Sequence, residues 1–377
     1  MVRVNVTQQP WNFLQPWGKR PPFSRRAIGA VLPGKRVLVT GELVSNATYV
    51  ELESPDGGTK MPAVVEAVDY ECNLAVLKPE DEEFLDDYKP LQLTQAKVGD
   101  SLAVWQLERT GVLLVTVGPL TTVEVSSYPQ DEYAFLVYRG TFSLQFRDSS
   151  FVLPVVKGGK LVGLIARYDS SSNSAEVIPT PVIQHFLKDA SDGNYQGFPK
   201  TGLGFANTRD PQLRRYTGLN GGGAGGVYVT DVLKGGPAAK AGIKEGDVIL
   251  SLDGEPIDPD GNYHDPLYGK IALIHLLSTK HFVGDKVKFA ILRKDEKKDV
   301  EVELEHRAVD SYVSEPYVID RAPKYFILGG LVLQELSRQY LREFGGEWVK
   351  RAEEVSLSEA AECAAVARAS GRKSAAP

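Results

Sequence analysis

The residues best suited to chemistry lie between Thr201 and Leu304. That stretch opens with Gly202-Leu203-Gly204-Phe205. A Gly-Leu-Gly-Phe loop leaves backbone N–H groups unobstructed, and a concave run of such groups captures a carboxylate. The strand that follows can pair with an extended peptide, and the apolar run Ile271 to Leu277 reads as a helix forming the opposite wall. On that helix Leu273 and Leu277 share a face, with Ile274 beside them. With Leu203 and Phe205 as its floor, the pocket suits a hydrophobic C-terminal residue. His275, on the same helix, is read as a residue tuning specificity or, more plainly, as a surface residue. The chemistry implied is capture of a peptide or protein C-terminus. The plainer alternative is that these glycines only serve tight turns.

Two other kinds of chemistry find little support. The run Asn220 to Gly226 is glycine-rich, but no Gly-Lys-Ser/Thr follows it, so it is read as a loop before the Val227 strand and not as a phosphate cradle. No His/Cys/Asp/Glu group has metal-ligand spacing, so neither a metal nor another cofactor is expected. Cys72 and Cys363, the two cysteines, lie too far apart in sequence to suggest a disulfide framework.

The elements that would position these residues are mostly strands. Short β-branched runs recur at Arg36–Thr40, Tyr49–Leu52, Ala63–Val68, Leu74–Leu77, Leu102–Trp105, Val112–Val117, Ala134–Tyr138 and Leu161–Ile165. Turn residues separate them, which predicts a barrel or sandwich. Pro181 opens an amphipathic helical run through Leu187. Further strands are predicted at Lys286–Arg293 and Asp299–Leu304. With 377 residues, 42% hydrophobic and 24% charged, the chain has material for two or three packed domains. Its net charge of −6 has acids and bases interspersed, which argues against nucleic acid as a partner. No apolar run is long enough to span a membrane. The first residues lack the charged-then-apolar pattern of a signal peptide, so the location is either intracellular or that of a chain whose signal has been removed.

The ordered set Gly202-Leu203-Gly204-Phe205, then Pro237-Ala238-Ala239-Lys240-Ala241-Gly242-Ile243, then Gly246-Asp247-Val248-Ile249 resembles a PDZ domain of the HtrA/Deg family. Upstream, Arg36 to Val44, Tyr70 to Leu77 and Ser149 to Val155 resemble the three segments that carry the family's histidine, aspartate and serine. The nearest likeness is to plant-type Deg proteins. The resemblance implies a mostly β chain: a chymotrypsin-like double β-barrel, an α+β PDZ domain and a partial second PDZ-like segment. Matched residue by residue, it puts Glu42, Asn73 and Phe151 at the triad positions. That set has no hydroxyl nucleophile, no imidazole and no carboxylate at the orienting position. All five histidines (His185, His264, His275, His281, His306) lie at or beyond residue 185, so the barrel region holds no imidazole whatever the register. Ser149, Val152 and Leu153 stand where the family's oxyanion loop has glycines. A Ser149 or Ser150 nucleophile served by Glu42 would need a strongly raised carboxylate pKa, and these are read as turn residues and an exposed acid.

The expected organisation is an extended arm over 1–26, a degenerate barrel pair over 27–190, a linker over 191–200, a PDZ domain over 201–307, the start of a second over 308–350 and a tail over 351–377. Trp11, Phe13 and Trp17 in the arm are expected to pack on their own domain or on a neighbouring subunit. The resemblance implies a homo-oligomer, with a trimer as the family pattern. The expected function is that of an inactive peptide-binding scaffold, chaperone-like or regulatory subunit. The alternatives are an active serine endopeptidase and a structural subunit with a vestigial groove.

Overall fold

The computed structural model describes residues 1–108, 110–128, 134–145, 152–219, 225–307, 312, 314–315 and 317–345. The chain forms two units, one of Met1–Gln8 with Phe23–Arg307 and one of Gln9–Pro22 with Ala308–Pro377.

The first unit begins with two closed antiparallel barrels. Barrel one contains β1 (Val2–Gln8), β2 (Phe23–Leu32), β3 (Arg36–Val39), β4 (Ala47–Glu53), β5 (Lys60–Asp69) and β6 (Leu74–Pro79). A short helix, α1 (Gly41–Val44), links β3 to β4. The strand order is β1-β2-β3-β6-β5-β4. Barrel two contains β7 (Ser101–Leu107), β8 (Leu113–Ser127), β9 (Ala134–Thr141), β10 (Pro154–Lys157), β11 (Lys160–Asp169) and β12 (Ser174–Pro179). Its order, β7-β8-β9-β12-β11-β10, repeats that of the first. Closure leaves neither barrel an open sheet edge along its pairing path. The exit helix α2 (Thr180–Asp189) follows, with Pro181 in its first turn as expected.

The expected arm over 1–26 is corrected: Val2–Gln8 is the first strand of the barrel. Val2, Val4 and Val6 are fully buried at a period of two, while the prolines begin only at Pro10. Arg3 fixes the strand's start by donating from Nε and Nη2 to the Pro55 carbonyl at 3.1 and 3.0 Å.

The expected linker over 191–200 is also corrected, because it is packed along its second half. Asp189 accepts hydrogen bonds from the Gln196 and Gly197 N–H groups at 3.0 and 2.7 Å. Phe198 is fully buried, stacked on His185 and edge-on to Phe135. The Tyr195 hydroxyl donates to Asp69, and Lys200 Nζ meets Glu71 at 2.5 Å.

After this comes an α+β domain. Its elements are β13 (Leu203–Ala206), α3 (Pro211–Tyr216), β14 (Val227–Val232), α4 (Pro237–Lys240), β15 (Val248–Leu252) and β16 (Glu255–Pro256). They continue with β17 (Asn262–Asp265), β18 (Gly269–Ala272), α5 (Leu273–Thr279), β19 (Lys286–Arg293) and β20 (Glu296–Glu303). The sheet runs β13-β14-β15-β19-β20, with β16 on β15 and a separate β17-β18 hairpin. Buried Asp247 clamps β19 to the α4 turn: it accepts from Arg293 Nε and Nη2 at 2.7 Å each, and Arg293 also reaches the Gly242 carbonyl.

The second unit holds a hairpin, β21 (Tyr325–Leu328) and β22 (Leu331–Gln334), and the helix α6 (Arg338–Arg342). Within this unit Gln334 donates to the Phe13 carbonyl at 2.9 Å, Tyr325 packs edge-on to Trp17, and Arg20 pairs with Glu343. Phe13 is buried, Lys19 lies over the Trp11 ring, and Trp17 remains exposed. The expected tail over 351–377 lies outside the described residues.

Replacing Glu71 with Ala should remove the carboxylate that meets Lys200 Nζ, whose side chain is only 8% exposed. The expected cost is about 2–3 kcal/mol. It should appear as a lower urea midpoint and faster amide exchange across residues 195–200.

Candidate functional site

Two of the three matched triad positions meet on connections of the first barrel. Glu42 lies on α1 and Asn73 in the turn between β5 and β6. Gly41 lets that helix sit against the turn: a Cβ there would lie 3.2 Å from the Asp69 carbonyl and 3.4 Å from Leu74 N. The Glu42 N–H donates to Asn73 Oδ1 at 2.8 Å. Asn73 is buried, and its Nδ2 has no hydrogen-bond partner. The Glu42 carboxylate faces the other way chemically, accepting from Arg25 Nη1 at 2.8 Å. Gln8, at the end of β1, ties down α1 by donating to the Glu42 and Leu43 carbonyls at 2.9 Å each. The sequence reading missed Gln8; a polar residue closing the Val2, Val4, Val6 alternation was its signal. Phe151, Ser149 and Ser150 lie outside the described residues. Just beyond them, the Val152 carbonyl accepts from the Ile28 N–H at 3.2 Å, joining the segment to β2.

The imidazoles have other partners. His185 is stacked between Phe198 and Phe282, and its Nε2 faces the His281 carbonyl at 2.8 Å, which makes that nitrogen the N–H donor. His281 pairs with Asp253 at 3.2 Å, and His306 lies 3.7 Å from Glu71. His264 is exposed on β17.

The glycine loop leads into β13, and α5 follows the β17-β18 hairpin. Gly202 has a φ of 70°, its carbonyl accepts from the Leu233 N–H at 2.8 Å, and the Thr201 carbonyl accepts from Ala238 N–H at 3.1 Å. A Cβ on Gly202 would meet Leu233 Cβ at 3.0 Å, so both conformation and space select glycine. Strand β13 pairs only with β14 among the described strands, leaving its other edge open. Leu203, Gly204 and Phe205 are half-buried. Leu273 and Leu277 are buried and Ile274 is half-buried. Phe205 and Leu273 converge at Gly261, where a Cβ would lie 3.5 and 3.7 Å from their side chains.

His275 is not a surface residue, which corrects the sequence expectation: it is 2% exposed. Its side of α5 faces the barrel. It lines a cavity with His185 and Lys188 of α2, and the neighbouring Tyr268 hydroxyl meets that of Tyr138 on β9 at 2.6 Å. Burial, with help from the Lys280 charge, lowers the His275 pKa to about 4.

A family model described as PDZ domain matches residues 199–304, and a second, also described as PDZ domain, matches 314–370. The putative protease Do-like 13 of Arabidopsis thaliana is 28% identical over 353 residues, covering 93% of this chain and 71% of its own length. The mitochondrial protease Do-like 4 of the same plant is 27% identical, covering 90% and 65%. The chloroplastic protease Do-like 2 is 29% identical, covering 91% and 56%. The chain thus spans between about half and three quarters of these relatives. The solved HtrA-type protease AlgW with decapeptide has the same fold, with a TM-score of 0.60 at 18% identity over 81% of this chain and 95% of that one. The chain belongs to the HtrA/Deg-like protease family, with PDZ domains.

In this HtrA/Deg chain the hairpin β21-β22 falls inside the second PDZ match. A buried neutral His275 has a consequence in acid. Its folded pKa lies below the ordinary value of 6.5, so the unfolded chain takes up the proton first as pH falls. Its contribution to stability is intact above pH 6.5 and is lost progressively down to about pH 4. The loss should reach about 3 kcal/mol. Urea titrations across this range should show the decline, and a His275→Gln variant should show less of it.

Proposed function

We propose that this chain is a catalytically inactive HtrA/Deg-family protein. It would act as a scaffold, chaperone-like or regulatory subunit that holds peptides or protein C-termini in the groove of its first PDZ domain. The observation carrying the reading is the pair at the cleft: Glu42 and Asn73 meet through a backbone N–H and an amide oxygen, and no imidazole occurs before residue 185. Serine-protease chemistry needs a base to take the nucleophile's proton and a carboxylate to orient that base. Glu42 stands in place of the imidazole with its carboxylate paired to Arg25, and Asn73 has no carboxylate to orient a base.

On the binding side, the Gly202–Gly204 amides would receive the terminal carboxylate. The ligand would add as a strand to the open edge of β13. Leu203, Phe205, Leu273, Ile274 and Leu277 would line the pocket for its last side chain. The relative AlgW was solved with a decapeptide, in keeping with a peptide ligand. Assembly as a homo-oligomer, a trimer by family pattern, would use the exposed Trp17 with Trp11 and Phe13 beside it. The names of the relatives favour a second reading, an active serine endopeptidase.

Two measurements separate these readings. Casein should stay intact with the purified chain and with a Phe151→Ser variant, and a serine-directed covalent probe should label neither. Labelling of the unmodified chain at any serine would restore the protease reading. For binding, a peptide with a free hydrophobic C-terminus should bind about 10- to 100-fold more tightly than its amidated form, as expected for charge-assisted bonds to backbone N–H groups. Equal binding of the two would leave the groove vestigial.

A further inference from the structure

The His275 side of α5 meets the barrel pair, and the contact is built around two imidazoles. His185 of α2 stands between two rings, with Phe198 at 4.2 Å and Phe282 at 4.1 Å between centroids. Phe198 packs on Phe135 of β9 and so belongs to the barrel side, whereas Phe282 follows α5. Lys188 of α2 lies over the Phe282 ring at 4.5 Å. Tyr268 of the PDZ domain meets Tyr138 of β9, hydroxyl to hydroxyl, at 2.6 Å. Among these contacts lies a cavity of about 410 Å³ whose lining includes both His185 and His275.

The contact suits neutral rings and not charged ones. His185 is 3% exposed and His275 is 2% exposed. His185 donates from Nε2 to the His281 carbonyl, so its Nδ1 carries the lone pair. That atom is buried without a partner, and so is Nδ1 of His275. A second proton on His185 would create an N–H with no acceptor, and a charge on either ring would be buried.

The surrounding groups do not relieve this. On α2, Lys188 lies beside His185, and Asp189 is engaged by the Gln196 and Gly197 N–H groups. Beyond α5, Asp285 accepts from the Phe282 N–H at 2.7 Å and lies 3.8 Å from His281, which also pairs with Asp253. Asp265 of β17 lines the cavity, but Lys280 takes it at 2.6 Å, with the Leu267 and Tyr268 N–H groups at 2.9 and 3.1 Å. Burial would raise the Asp265 pKa, yet these bonds hold it at about 2, so its charge is constant in mild acid. Burial pushes the Tyr138 hydroxyl up to about 12 and that of Tyr268 up as well, so both stay neutral. Mild acid therefore acts on this contact through the imidazoles.

We propose that the contact is an acid-released latch: as pH falls from neutral to about 5, protons taken up by His185 and His275 part the first PDZ domain from the barrels while the barrels keep their fold. The domain stays tethered, because Tyr195 on Asp69 and Lys200 on Glu71 hold the connecting segment. Helix α5, seven residues long and marginal by itself, loosens when its barrel contact is lost.

The sign follows from burial. Separated, the rings return to water and to the ordinary value of 6.5; docked, burial lowers both, His275 to about 4. Docking is undiminished above pH 6.5 and weakens as pH falls toward 4. From His275 alone, the ratio of separated to docked chains should rise about 30-fold between about pH 7.5 and 5.

Amide hydrogen exchange on the full chain, corrected for the intrinsic effect of pH on exchange, reads that ratio. Protection over residues 275–282 should fall about 30-fold or more across this range, and protection in the barrel strands β3 and β11 by less than about 3-fold. A His185→Phe/His275→Phe variant keeps the ring contacts and removes both protonation sites. It should stay protected near neutrality and lose less than about 3-fold in acid. If that variant melts early, His275→Gln alone should still remove most of the acid response. Unchanged protection over 275–282 at the lower pH would overturn the latch, and so would an equal loss in the barrel strands, which would be global unfolding. Variants that respond to acid as the unmodified chain does would overturn the assignment to these imidazoles.

Discussion

The turn from Asp69 to Leu74 is the joint on which the first unit depends. Asp69 is buried, and its carboxylate accepts from the Glu71 and Cys72 N–H groups and from the Tyr195 hydroxyl. Burial pushes its pKa up, and the neighbouring Glu71 charge adds to this. These bonds set the turn in which Asn73 takes a φ of 55°, a left-handed conformation that asparagine tolerates better than most residues. Through Tyr195 on Asp69 and Lys200 on Glu71, the same few residues hold the segment leading into the PDZ domain. The cleft and the groove are thus anchored to one turn.

That anchoring gives the first PDZ domain two buried sides on one helix. Leu273 turns toward Phe205 at Gly261 and Leu277 is buried with it, while His275 and Thr279 line the cavity shared with α2. A helix only seven residues long is marginal by itself, so α5 draws its stability from these two contacts. Tyr268 against Tyr138 and His185 against Phe282 extend the contact on either side.

Much of the fold was legible because its signals are local. The β-branched runs became barrel strands, and the Gly242-Ile243 to Gly246-Asp247 run led into β15 with Asp247 as a buried clamp. The glycine loop was legible because Gly202 needs a positive φ. What escaped depends on distant partners. His275 has the same polarity wherever the helix lies, and only docking against the barrel buries it. Tyr195, Phe198 and Lys200 sit in a segment whose Gly and Asp content suggests a linker, yet each finds a pocket or charge far along the chain. The strand β1 was hidden differently, since prolines from Pro10 onward masked the short alternation before them. Glu42 and Asn73 were singled out through family resemblance and not from spacing, and their hydrogen bond shows only in the structure, because the two lie on separate connections.

The shortness of β13 has a kinetic side. Four residues, about 13 Å of strand, can exchange only a few backbone hydrogen bonds with an added chain. Such an edge is a poor template for a second copy of itself, which limits runaway strand stacking. It also gives a bound segment few bonds to break on leaving, so occupancy would turn over quickly and depend on the end groups. On the proposed binding reading, a groove built this way would sample many chain ends and retain those whose terminus and side chains both fit.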